Sequence, residues 1–137
     1  MKNLLYAEPG YASLHNHIGW AYLYYTNDMA QAELHLKMAI KFKSTISAPY
    51  QHLGQLMIRA GRLEEAVSYL KDGLHIQAAN KVSLYDSLGQ VYELKKEYGK
   101  AISSYKQAMA AGFGPESMLL DSIKRCKKKR MVMYFTF

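Results

Sequence analysis

Cysteine is nearly absent. Cys126 is the single one in 137 residues, which excludes an internal disulfide and any metal site built from several thiolates. A lone thiol fits a reducing compartment, so the expected location is cytoplasmic. Long apolar runs are also missing: nothing approaches the roughly 20 residues a membrane-spanning helix requires. The first eleven residues, MKNLLYAEPGY, hold an apolar stretch of only about four, well short of a secretory signal. No membrane partner is expected on these grounds.

Chemistry-bearing motifs are missing too. There is no G-x-x-x-x-G-K-[ST] phosphate loop, no H-E-x-x-H and no nucleophile elbow. The five histidines, His15, His17, His35, His52 and His75, read as scattered along helices. His15 and His17 are two apart, so a helix points them in different directions, and no carboxylate stands beside either at ligand spacing. Neither an enzyme nor a cofactor or metal is expected.

The net charge of +7 suggests nucleic acid until it is located. Lys124, Arg125, Lys127, Lys128, Lys129 and Arg130 carry six of the eighteen basic residues, leaving residues 1–123 at a net +1. The basicity belongs to one segment, which reads as a solvated helix end, and nucleic acid is the less favoured partner.

Against these absences stands a repeat. HNHIGWAYLYYTNDMAQAELHLKMAI (15–40), YQHLGQLMIRAGRLEEAVSYLKDGL (50–74) and YDSLGQVYELKKEYGKAISSYKQAM (85–109) align with Gly19, Gly54 and Gly89 each 35 apart. Twelve or thirteen residues later comes an alanine (Ala32, Ala66, Ala101). A large residue follows four further on (Leu36, Leu70, Tyr105), then a small one (Ala39, Gly73, Ala108). Each block has apolar residues at helical spacing on both sides of a turn, at Asn27-Asp28, Ala60 to Arg62 and Lys96 to Gly99. In the third, Tyr85, Leu88, Val91, Tyr92 and Leu94 mark the first helix. Glycine inside a helix costs roughly 1 kcal/mol relative to alanine, so Gly89 implies a close approach by the second helix. One helix pair cannot bury both its apolar faces, so the pairs must stack.

The pattern resembles the tetratricopeptide repeat family. Tyr50, Leu53, Gly54 and Ala66 match its signature in the second block, and Tyr85, Leu88, Gly89, Tyr92, Ala101, Tyr105 and Ala108 in the third. The first block is looser, with Gly19, Tyr22, Ala32 and Ala39, while His15 and Ile18 depart from the pattern. The RNA-reading pentatricopeptide repeat also has a period near 35, but the near-neutral body disfavours it. The resemblance implies an all-α fold: a right-handed α-solenoid of three helix-turn-helix repeats (about 12–45, 47–79 and 81–112). Residues 1–11 would be a lead-in or the end of a preceding repeat, with Pro9 at the join. A capping helix at 115–130 would bury Leu119, Ile123 and Cys126, and 131–137 would form an apolar tail that docks or pairs with another chain.

The resemblance also implies a function as a non-catalytic protein–protein interaction scaffold. A protein or peptide partner of unknown identity would bind in a groove lined by the first helices. The groove-facing candidates are Asn16, Trp20, Leu23 and Tyr24, then Gln51, His52, Gln55 and Arg59, then Asp86, Ser87, Gln90 and Glu93. Trp20 could equally pack against Leu4 and Tyr6. Chaperone-binding members hold a C-terminal carboxylate with cationic and amide side chains. The matching positions here, Asn16, Trp20, His52, Ser83 and Ser87, carry no full positive charge, so that clamp is not expected. A homo-oligomer through the repeat ends or the apolar tail is the alternative.

Overall fold

The computed structural model describes residues 11–42, 45–112 and 116–135, and all regular structure among them is helical. Expectations for Leu4, Tyr6 and Pro9, and for the first residue of the 115–130 helix, lie outside the described residues. Among the described residues seven helices follow in order: α1 Tyr11–Tyr25, α2 Met29–Lys41, α3 Ala48–Arg59, α4 Leu63–Leu74, α5 Lys81–Leu94, α6 Tyr98–Ala111 and α7 Ser117–Phe135. They group into two compact units, one ending at Ala79 and one starting at Asn80.

In the first unit α1 packs on α2 and α3 on α4, while α3 also touches α2 and α1. The two glycines explain how closely each pair sits. A Cβ on Gly19 would stand 2.6 Å from Leu36 Cγ, and one on Gly54 would stand 2.4 Å from Leu70 Cδ2. Leu36 and Leu70 are fully buried, as are Ala32, Ala39 and Ala66. Burying a leucine is worth roughly 1.5–3 kcal/mol, which exceeds the helical penalty of the glycine that admits it. Asp28 caps α2 by accepting from Gln31 N at 3.1 Å, and Pro49 occupies the first turn of α3, where no amide partner is lost.

In the second unit α5 packs on α6 and α6 on α7. Gly89 repeats the device with a ring: its Cβ would lie 2.5 Å from Tyr105 Cε1. Asn80 caps α5 through Ser83 N at 3.3 Å. Helix α7 buries Leu119, Ile123 and Cys126.

The turns at 60–62 and 95–97 share one geometry. Gly61 and Lys96 both have positive φ, 74° and 62°. In each, the next amide reaches back to a carbonyl five residues earlier, Arg62 N to Met57 O and Glu97 N to Tyr92 O, both at 2.8 Å. The third turn thus ends before Tyr98, and Gly99 lies in the first turn of α6. Two further differences from the sequence pattern appear. Leu94, the last residue of α5, is exposed although the apolar spacing counted it with the core face. Helix α7 continues through residues 131–135, which the apolar composition had separated as a tail; no glycine or proline intervenes to stop it.

Candidate functional site

The first unit brings four of the expected residues together. Trp20 and Tyr24 lie one turn apart on α1, and His52 and Arg59 lie two turns apart on α3. Trp20 stands against Tyr24 (ring centroids 5.6 Å apart) and edge-on to Tyr25 (5.3 Å), and all three rings are exposed. Tyr24 meets His52 edge-on at 5.9 Å, and the Arg59 guanidinium lies 5.1 Å from the Tyr24 centroid. The result is an amphipathic aromatic surface with one guanidinium at its edge.

Arg59 has a second task. Its Nη1 donates to Leu23 O at 2.7 Å, one of the last four carbonyls of α1, which the helix itself leaves without an amide. The cation therefore terminates α1 and orients the tyrosine beside it. His52 is held neutral: burial, then the nearby His17, pull its pKa down from 6.5 to about 4, and its Nδ1 is buried with no hydrogen-bond partner among the described residues. Tyr24 is shifted upward by burial, partly offset by Arg59.

Not every candidate reaches the surface. Asn16 and Leu23 are buried, and Asn16 Oδ1 has no hydrogen-bond partner among the described residues. Gln51 and Gln55 are half-buried. The helix period placed Asn16 and Leu23 beside the exposed stripe, but neighbouring helices cover them. The histidines are not scattered either. His15 Nδ1 and His35 Nδ1 meet at 2.9 Å across α1 and α2, so one carries the proton and the other accepts it. Their rings stack, and Tyr22 stacks on His35. Burial, then the charge of His35, lower the pKa of His15. Among the described residues, no three His, Cys, Asp or Glu side chains gather as a metal site would need.

In the second unit, Asp86 and Gln90 line a cleft of about 510 Å³ between α5 and α7, together with Ser83, Glu116, Ser122 and Arg125. Gln90 Nε2 donates to Asp86 Oδ2 at 3.4 Å. Burial raises the pKa of Asp86, the Gln90 hydrogen bond opposes it, and Glu116 adds to it. Ser87, expected in the groove, is buried in the core of the unit.

Glu93 was expected to face a partner and instead binds this chain. Arg125 donates to it twice, from Nε at 2.6 Å and Nη2 at 2.8 Å; Lys129 Nζ adds 2.7 Å and Tyr105 Oη 3.0 Å. Its side chain is only 10% exposed, and these donors, Arg125 first, hold its pKa at about 2. Two members of the basic run are thereby consumed in fixing α7. The pairing spans more than thirty residues, so no local spacing in the sequence announces it.

Compared with protein families, residues 84–119 match the tetratricopeptide repeat, a span covering most of α5, all of α6 and the start of α7. No curated protein matches the chain. Among solved structures it is similar to the Arabidopsis OM64 TPR domain, with a TM-score of 0.77 and 17% identity over 86% of this chain and 95% of that one. A MamA protein structure gives 0.76 and 23% identity, over 98% and 74% of the two chains. The TPR2AB domain of yeast Sti1, solved as a complex with pHSP90, gives 0.72 and 16%, over 93% and 49%. At these identities the likeness is one of fold, that of an all-α helical-repeat solenoid.

Proposed function

The chain carries the tetratricopeptide repeat within the fold of tetratricopeptide-repeat domains, and from that premise we propose that it is a non-catalytic, cytoplasmic scaffold that binds a peptide or partner segment. The contact surface is the α1–α3 face of the first unit, with Trp20 and Tyr24 as anchors and Arg59 at the edge. The observation that carries this reading is the exposed Trp20–Tyr24–Tyr25 cluster with a guanidinium already ordered against it. Trp, Tyr and Arg dominate interface energetics: the two rings bury large area at little entropic cost, and all three still satisfy polar contacts. The half-buried Gln51 and Gln55 beside them suit the backbone of an extended segment.

A clamp for a terminal carboxylate is not part of the proposal. Of the matching positions, Asn16 and Ser87 are buried and His52 is neutral at physiological pH, so none offers a cation. Asp86 and Gln90 in the second unit's cleft are a secondary polar contact for the same class of partner.

The test is selection of binding peptides from a random display library against the full chain. Trp20→Ala should weaken the selected peptides by roughly 2 kcal/mol or more. The reading fails if peptides selected on the wild type bind Trp20→Ala and Tyr24→Ala variants with unchanged affinity.

A further inference from the structure

Arg59, Arg62 and Arg125 use their guanidinium groups in two different ways. Arg62 turns its Nε–Nη2 edge to Glu65, with Nε donating to Oε1 at 2.9 Å and Nη2 to Oε2 at 2.7 Å. Arg125 does the same with Glu93, at 2.6 Å and 2.8 Å. That edge is the planar fork that fits a carboxylate with two parallel hydrogen bonds. Arg59 is held from its other nitrogen: Nη1 donates to Leu23 O at 2.7 Å, and the guanidinium carbon lies 5.1 Å from the Tyr24 centroid. Its Nε and Nη2 meet no acceptor among the described residues, and the residue is exposed. The edge that its two counterparts fill is therefore open to water. Nothing on the two helices closes it, because α1 and α3 contain neither aspartate nor glutamate, and Arg59 is the one lysine or arginine on either. Asp28, the acid that follows α1, is turned to cap α2, where it accepts from Gln31 N.

We propose that Arg59 reads a carboxylate in the partner: the bound segment carries an aspartate or glutamate on the open Nε–Nη2 edge, beside a large apolar side chain that lies on Trp20 and Tyr24. The inference rests on the reading of the α1–α3 face as a peptide site, and adds to it the sign of the partner's charge and the residue that detects it. Two features select this occupant. The guanidinium is already ordered on the Leu23 carbonyl and the Tyr24 ring, so a bidentate contact immobilises little more of the chain. A lysine- or arginine-bearing segment would instead meet a like charge, with no acid on α1 or α3 to offset it. One fork accepts a side chain anywhere along a segment, so the contact needs no chain terminus.

The experiment takes display-selected peptides and the full chain through a double-mutant cycle. Peptides selected on the wild type should carry an aspartate or glutamate at a fixed spacing from a large apolar residue. Changing that acid to its amide should weaken binding to the wild type about tenfold or more, and to Arg59→Gln by about twofold or less. The amide change lies in the peptide, so folding of the chain does not enter the wild-type arm. Arg59→Lys, which keeps the charge and loses the fork, is the second variant and should also shrink the effect of the amide change. Circular dichroism at the temperature of the binding measurement checks that both variants keep their helices. Selected peptides without an acidic residue, or an acid-to-amide loss equal in the wild type and both variants, overturn the proposal. A phosphoserine in place of the acid that binds about tenfold tighter assigns the edge to a phosphorylated partner instead. Unchanged affinity for Trp20→Ala removes the peptide-face reading and this one with it, whereas loss at Trp20 without coupling to Arg59 removes this one alone.

Discussion

The Tyr105 ring occupies the space that a side chain on Gly89 would need. An added Cβ would stand 2.5 Å from Cε1 and 2.7 Å from both Cδ1 and Cζ. Alanine at 89 would gain roughly 1 kcal/mol in helix propensity, but a fully buried ring cannot move aside as a flexible chain end can. Gly89→Ala should therefore destabilise the chain by about 1–3 kcal/mol in urea unfolding. In a Tyr105→Ala background the penalty should vanish or reverse. An equal penalty in both backgrounds would mean that the ring is not the obstacle.

Lys96 adopts the left-handed backbone that Gly61 adopts in the equivalent turn. A side chain there carries a steric cost that glycine avoids. Lys96→Gly should raise stability by about 0.5–1 kcal/mol, read as a higher denaturation midpoint at unchanged slope. The reverse change, Gly61→Lys, should lower it by a similar amount.

Arg59 is expected to matter without any partner. It caps the Leu23 carbonyl and lies on the Tyr24 ring. Arg59→Ala should cost about 1–2 kcal/mol and raise amide exchange in the last turn of α1. If exchange at residues 22–25 is unchanged, the cap contributes nothing.

Glu93 links the second unit's stability to pH. Unfolded, its carboxyl takes a proton near the ordinary 4.5; folded, it keeps its charge down to about 2. The unfolded chain binds the proton first, so the contribution is intact above about 4.5 and disappears as pH falls from there through about 2. Glu93→Gln should cost about 1–2 kcal/mol at neutral pH, a figure discounted because Arg125 and Lys129 are nearly half exposed. It should also flatten the acid limb of the melting curve between those values. The carboxyls of Glu33 and Glu65 are also shifted down, by Arg62 first, so the difference from wild type is the readout.

Cys126 reports whether α7 is docked. The thiol is buried, and burial, then the Glu93 charge, push its pKa up to about 11. Native protein at pH 8 should resist a disulfide reagent, and Glu93→Gln should react several-fold faster because α7 detaches more often. Fast, equal reaction in both would place α7 off the α6 surface.

The sequence by itself determined the repeat. Gly19, Gly54 and Gly89, with Leu36, Leu70 and Tyr105 sixteen or seventeen residues later, are legible because helix packing at close range needs a small residue opposite a large one in every pair. The stripe of Leu119, Ile123 and Cys126 was legible for the same reason. The groove expected from the family resemblance included Trp20, Tyr24, His52 and Arg59. It could not say which residues beside them stay exposed: Asn16 and Ser87 have polar side chains and groove-facing positions, yet the structure buries both. Only the tertiary structure decided that Glu93 belongs to α7 and that Arg59 belongs to the end of α1. It likewise paired His15 with His35 and ran α7 on through residues 131–135. Ion pairs, caps and coverage join residues twenty to thirty-six positions apart, and their energies depend on distance and exclusion of water in three dimensions, which spacing along a chain does not encode.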